Sequence, residues 1–393
     1  MTSARVPRAF ASLALTLAAA AAAQPSAPTS TAPAQATPER SSRFIDPEDG
    51  QFDLSWFLEN PRGFLPIPIV ITEPAVGYGG GIAGMFLRPR RDAGQEGWAR
   101  PNISGAGLFG TENGTWGAVA GDASLWLGGR LKTLAGAGTG RANLDFYGAG
   151  LKLPLLDQGV RYSLQFSGAV AQASWQLADK SPWWAGLRYV YADVDPTLRD
   201  DAIFPGLADA VRVKISAPTA IIEYDSRDNV FTPTEGVYAE TSYLASRRAL
   251  GASDDFERFQ QLLTGWLPLQ RRLTFGARGN VAWASSGTPF FLRPFVVLRG
   301  VPAVRYQGDQ AVSGEAELRW QFHERWSAVA FGGAGATRTD RRRDVLRQSV
   351  GSGGAGFRYE LARKFGLNAG IDIAHSPGTT AVYFVVGNAW FRP

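Results

Sequence analysis

The chain has 393 residues, no cysteine and a formal charge of +5. The missing cysteines exclude a disulfide framework, a thiol nucleophile and a thiolate metal site. The mild charge, which falls to +3 if Arg5 and Arg8 leave with a cleaved leader, argues against a nucleic-acid partner.

The predicted elements begin with that leader. Arg5 and Arg8 precede an apolar run from Ala9, and small residues offer cleavage after Ala23, so residues 1–23 read as a secretory signal peptide. Gln24–Arg43 is rich in Pro, Ser, Thr and Ala without periodicity, which predicts a linker on the periplasmic side. The linker is expected to run to residue 63, with a short amphipathic helix over Asp53–Glu59. No later run approaches about 18 apolar residues, so a transmembrane helix is not expected. A closed β-barrel is the other way to satisfy a backbone in lipid. The 46 Gly, 23 Phe, 12 Trp and 11 Tyr suit such a wall.

From about Phe64 the periodicity is two. Tyr162, Leu164, Phe166 and Val170 oppose Arg161, Ser163, Gln165 and Ser167. Val213, Ile215 and Ala217 oppose Arg212, Lys214 and Ser216. Leu273, Phe275, Ala277, Val281 and Trp283 oppose Arg272, Thr274, Arg278 and Asn280. Val312, Ala316, Leu318, Trp320 and Phe322 oppose Ser313, Glu315, Glu317, Arg319 and Gln321. Such alternation predicts half-buried strands. A soluble sandwich also alternates, but ionised residues on one face and aromatics on the other favour a lipid-facing wall around a wet lumen. Fifteen such runs are readable. Single-chain bacterial barrels have even numbers, so the expectation is an all-β, sixteen-stranded transmembrane antiparallel β-barrel over residues 64–393, with one strand missed before residue 290. Its location would be the bacterial outer membrane.

The stretch "DSRDNVFTPTEGVYAET" (Asp225–Thr241) lies between two of these runs, and its Asp, Asn, Pro and Gly are turn residues. It lacks the spacing of a calcium loop. "GYGGGIAG" (Gly77–Gly84) has the form of a dinucleotide fingerprint but no following helix, so it reads as part of a wall strand. His323 and His375 are the two histidines, and Ser376 adjoins His375. Neighbours in one turn do not face each other as nucleophile and base. No catalytic, cofactor or metal residue is expected, and the chain is not read as an enzyme.

Four stretches carry a resemblance. The Asp225–Thr241 turn looks like one that recurs in the BamA/TamA family of outer-membrane barrels (the bacterial surface antigen family of the insertase superfamily). "VVLRGVPAVRYQGDQ" (Val296–Gln310) resembles that family's long inward-folded loop with its Arg-Gly pair. "SGEAELRWQF" (Ser313–Phe322) resembles the following strand, and "GAGFRYELARKFGLNAGIDIAHSPGTTAVYFVVGNAW" (Gly354–Trp390) the closing strands. The resemblance runs from about Phe64 to the end and implies sixteen strands and a loop folded into the lumen. It maps the loop arginine onto Arg299, beside Gly300, and the inward glutamate onto Glu317. A second acid, expected in the next strand, is replaced by Gly333. By strand parity Glu315, Arg319, Arg358, Glu360 and Asp372 also face inward. Arg299, Gly300, Glu317, Arg358 and Asp372 are therefore expected to latch the loop, or to form a plain structural charge network.

The resemblance also implies a lateral seam between first and last strands, expected near Val76–Leu87 and Ala381–Trp390, with Gly79, Gly81, Gly84, Gly387 and Trp390 along it. Glycines there would weaken pairing. The resemblance implies that such a seam can open, and some members of the family insert or translocate proteins. Only about forty residues separate leader and barrel, which leaves no room for the family's periplasmic modules. A passive loop-plugged channel, or a structural barrel without clients, is the alternative. The expected partners are outer-membrane lipid and, on the first reading, client outer-membrane proteins or a separate periplasmic protein. The barrel is expected to be a monomer.

Overall fold

The computed structural model describes residues 44–59, 63–88, 102–147, 159–198, 212–341 and 344–390. The expected leader, the linker up to Arg43 and Pro393 lie outside the described residues. The strands are β1 (Gly63–Ile71), β2 (Gly79–Arg88), β3 (Asn102–Thr111), β4 (Trp116–Trp126), β5 (Leu131–Phe146), β6 (Val160–Gln176), β7 (Trp183–Leu198) and β8 (Val213–Asp225). They continue as β9 (Gly236–Ser246), β10 (Phe256–Gln270), β11 (Leu273–Ala284), β12 (Gln310–Gln321), β13 (Trp326–Arg341), β14 (Asp344–Ala362), β15 (Leu367–Ser376) and β16 (Thr379–Val386). Each pairs antiparallel with its chain neighbours, in the order β1 to β16. The strand missed by periodicity is β1, "GFLPIPIVI": two prolines and an unbroken apolar run hide its alternation. The barrel is nearly closed, because β1 and β16 share no ladder among the described residues.

Odd-numbered connections and the even-numbered ones lie at opposite rims. The near rim carries the strand end Val386 and the helix α1 (Ser55–Glu59). The far rim carries the connection 285–309 between β11 and β12.

β12 has the expected faces. Ser313, Glu315, Glu317 and Arg319 are buried inside, while Val312, Leu318 and Trp320 are exposed outside. In β6 and β8 the expectation holds in only half of the strand. Tyr162, Leu164 and Phe166 point inward and are buried, and Arg161 and Gln165 point outward. Below them the outward positions become Ala169, Ala171, Ala173 and Trp175, and the inward ones Gln172 and Ser174. β7 inverts likewise: outward Leu187, Tyr189 and Tyr191 give way to Asp193 and Asp195. In β8 the inward face passes from Glu223 through Thr219 to Ala217 and Ile215. The inversion lies at one height, since Gly168 pairs with Ala192 and Ala192 with Ile215. The apolar faces of Arg161–Val170 and Arg212–Thr219 thus face the lumen, not outward as expected.

β6 has 17 residues and β7 has 16, more than the about 9–11 tilted residues that a bilayer-spanning strand needs. In their far halves the wall follows the rule for a soluble sheet, polar outside and apolar inside. There Tyr162, Leu164, Phe166, Val194, Ile215 and Ala217 form a core with Phe291 and Leu292 from the far-rim connection.

Residues 44–59 pack on the near rim. Asp53 caps α1 by accepting the Ser55 N–H at 2.6 Å, so the predicted helix begins two residues later. Asp46, Asp49 and Asp53 surround the buried guanidinium of Arg325, from the β12–β13 turn, at 2.6 Å for Asp46 and 2.8 Å for Asp53.

Candidate functional site

The far-rim connection folds back into the lumen, as expected for Val296–Gln310. Its two limbs are held together by Val296 N–H on the Tyr306 carbonyl and Gly308 N–H on the Pro294 carbonyl, both at 3.0 Å. Val296, Leu298 and Val301 are buried with Val350 of β14. β13 makes room for them. A Cβ at Gly333 would lie 2.8 Å from Leu298 Cδ2, and one at Gly335 2.5 Å from Val296 Cγ1. The residue that stands where an acid was expected is therefore the one that lets the loop lie flat on the wall.

That packing carries Arg299 into a buried cluster of carboxylates. Its backbone N–H donates to Glu315 at 3.1 Å and its Nε to Glu315 at 3.0 Å. Its Nη1 donates to Asp372 at 2.8 Å. Glu317 Oε2 lies 2.8 Å from the same Nη1, an ion pair aligned too poorly to count as a hydrogen bond. The bonds to Glu315 and Asp372 are therefore the better-formed ones. Arg358 closes the network, donating to both oxygens of Asp372 at 2.6 and 2.9 Å. The guanidinium also lies 3.5 Å over the Phe331 ring. Gly300 donates its N–H to the Tyr383 hydroxyl at 2.9 Å, and its carbonyl accepts from Ser376 at 2.7 Å.

Arg299, Gly300, Glu317, Arg358 and Asp372 are thus brought together as expected. Glu315, known from parity only as an inward residue, is the best-bonded partner. Tyr383 had no signal in the sequence, and Ser376 was noted there only as the neighbour of His375. Glu360 and Arg319 face inward but stand away from Arg299: Arg319 donates to the Pro233 carbonyl at 2.6 Å. With Asp228, Arg272 and Asn368, both line a polar cavity of about 230 Å³ at the near rim. Ser376 is buried inward, while His375 is outward and meets Thr380 at 3.0 Å, so opposite strand faces separate the two.

Two further segments fill the lumen from the near rim. Gly387, at φ 77°, turns the chain out of the wall after β16. Trp390 is then buried inside, donating its indole N–H to Glu315 at 2.6 Å and packing on Trp266 and Tyr238. The Asp225–Gly236 turn crosses the mouth: Asn229 donates to the Phe365 carbonyl and the Phe231 carbonyl accepts from Asn388, both at 2.9 Å. It is an occluding element as well as a connection.

The seam lies elsewhere than expected. Gly79, Gly81 and Gly84 belong to β2 and are paired with β1 on one side and β3 on the other. Gly387 and Trp390 leave the wall instead of lining its edge. The unpaired edges are Gly63–Ile71 and Thr379–Val386. Pro66 and Pro68 lack N–H groups on one side of β1, and the unbroken β1–β2 register places that side at the seam. The weak pairing is thus set by prolines, an eight-residue β16 and the inward bend.

No protein-family model matches the sequence, and no curated protein is significantly similar to it. Solved structures are similar in fold. BamA from Haemophilus ducreyi, in a crystal structure lacking POTRA domains 1–3, superposes with a TM-score of 0.52 at 11% identity, covering 82% of this chain and 69% of that one. CdiB from Escherichia coli gives 0.55 at 10% identity over 84% of this chain and 60% of its own. CdiB from Acinetobacter baumannii gives 0.54 at 9% over 82% and 59%. The chain thus spans about 60% of the length of either CdiB. Its sixteen antiparallel strands are the barrel fold of BamA and CdiB.

Proposed function

We propose that this barrel resides in the bacterial outer membrane and aids the insertion or translocation of proteins, with the β1–β16 seam as the lateral opening. The observation that carries the reading is the seam itself: two strand edges face each other without a ladder. An unpaired edge is a template for another strand. On this reading the Arg299 cluster is a latch that fixes the loop, and the bonds of Tyr383 to Gly300 and of Trp390 to Glu315 are the ties that opening at β16 has to break. The activity is non-enzymatic, the barrel is monomeric, and its clients are outer-membrane proteins or segments delivered by a periplasmic partner.

Cysteine pairs across Gly63–Ile71 and Thr379–Val386 test this, since the chain has no cysteine of its own. Locking the seam should reproduce the change in outer-membrane proteome caused by depletion. A control pair at Ala137 and Ala169, paired in β5 and β6, should not. The filling of the lumen from both rims favours a second reading, a passive plugged or structural barrel. A locked seam that leaves the proteome intact would establish that reading over the first.

A further inference from the structure

Residues Phe44–Glu59 expose four large apolar side chains: Phe44, Ile45, Phe52 and Trp56 are each about two-fifths exposed or more. They form one patch. Phe44 stacks on Phe52 at 6.1 Å and contacts Phe57 at 5.0 Å, and Trp56 meets Phe57 edge-on at 5.1 Å. An isolated exposed aromatic is unremarkable, but a cluster on a short segment marks a contact surface.

Its place in the fold identifies the contact. The Phe52 carbonyl accepts from the hydroxyl of Tyr359 at 2.7 Å, and the Tyr359 ring packs at 5.0 Å on Trp326. Trp326 is outward-facing, and with Trp126, Trp175, Trp183 and Trp320 it belongs to exposed tryptophans at the near ends of their strands. Tryptophans at that level mark the bilayer interface. The patch continues this belt beyond the strand ends. We therefore propose that Phe44–Glu59 is an interfacial anchor, its aromatic patch seated among lipid headgroups and upper acyl chains, and clamped to the wall by Arg325. The segment carries Asp46, Glu48, Asp49, Asp53 and Glu59, with Arg325, Arg363 and Lys364 set against them. No excess of cations faces the lipid, so insertion rests on apolar contact and needs no anionic lipid.

The inference rests on the membrane location proposed above, and one experiment separates the two. The full chain carrying Phe52→Cys is reconstituted in phosphatidylcholine vesicles and labelled with an environment-sensitive fluorophore. Nitroxides shallow or deep in the acyl chains, and aqueous iodide, then serve as quenchers. The expected result is shallow quenching about twofold or more above deep quenching, with iodide weak, and the same pattern after anionic lipid is added. Asp179→Cys, in an exposed near-rim turn, should be quenched by iodide. Ala316→Cys, outward and midway along β12, should be quenched by the deep nitroxide. Iodide quenching at residue 52, or quenching by neither, overturns the anchor. Failure of the deep nitroxide at residue 316 overturns the membrane location itself. If Phe52→Cys does not fold, Ile45→Cys carries the same test.

Discussion

The lumen wall has two regions built from the same alternating pattern with opposite contents. Across β12 to β15, Glu315, Glu317, Arg358 and Asp372 point inward around Arg299, and apolar side chains point outward. At the far ends of β5 to β8, Leu144, Tyr162, Leu164, Val194 and Ile215 point inward, and Arg161, Gln165 and Lys214 outward. The difference shows that alternation defines two faces but does not say which is inside. That depends on what surrounds the strand at that height: with the membrane location proposed above, lipid draws the apolar face outward, and water drives it inward.

The largest expected effect is on the charged side. Arg299→Ala leaves Glu315 and Glu317 buried without their cation, and Asp372 with Arg358 alone. The cost should be about 3–5 kcal/mol, read as a lower temperature for loss of the compact, heat-modifiable gel band. Adding Glu315→Gln should recover part of it. A full-sized cost that survives this second change would show that lost packing on Phe331, rather than charge, dominates.

The inversion level itself predicts a contrast between two outward positions of one strand. Ala171→Lys, within the outward apolar positions from Ala169 to Trp175, should cost about 2–4 kcal/mol, whereas Gln165→Lys, beyond them, should cost about 0–1 kcal/mol. Barrel folding into vesicles measures both. Equal costs would mean that the bilayer boundary does not lie at Gly168 and Ala192.

The smallest effect belongs to the Arg325 clamp, which tests whether paired charges at a rim behave like those in the lumen. The hydrogen bond from Arg325 is the main cause of the lowered pKa of Asp49. Burial alone would raise Asp53, but bonds from Ser55, the Arg363 N–H and Arg325 outweigh it and the net shift is downward. Both carboxylates are thus more acidic folded than unfolded. Their contribution is present above the ordinary aspartate range and is lost only as pH falls through the depressed folded values. Residues 44–59 should resist proteolysis from neutral to mildly acidic pH and become cleavable only in stronger acid. Release in mild acid would show the clamp to be weaker than its geometry implies.

Much of this was legible in the sequence for a local reason. Side-chain alternation is fixed by the backbone of each strand, so Val312–Phe322 announces both its extent and its two faces. The Asp, Asn and Gly of Asp225–Gly236 likewise announce a turn, because their conformational preferences are their own. The inward loop and Arg299 followed from resemblance, and parity placed Asp372 within reach. Tertiary structure decided the rest. Pro66 and Pro68 conceal β1, and only its pairing with β2 shows that the glycine-rich strand is second and the seam lies one strand earlier. Trp390 was legible as the end of a strand, but its indole lies on Glu315, 75 residues away in the chain. Gly333 could be read as a missing acid, and only the seated loop shows it as space for Leu298. Strand faces and turns arise from neighbours in sequence; which face is wet, which edge is free and which carboxylate meets Arg299 arise from closure of the wall and the filling of its lumen.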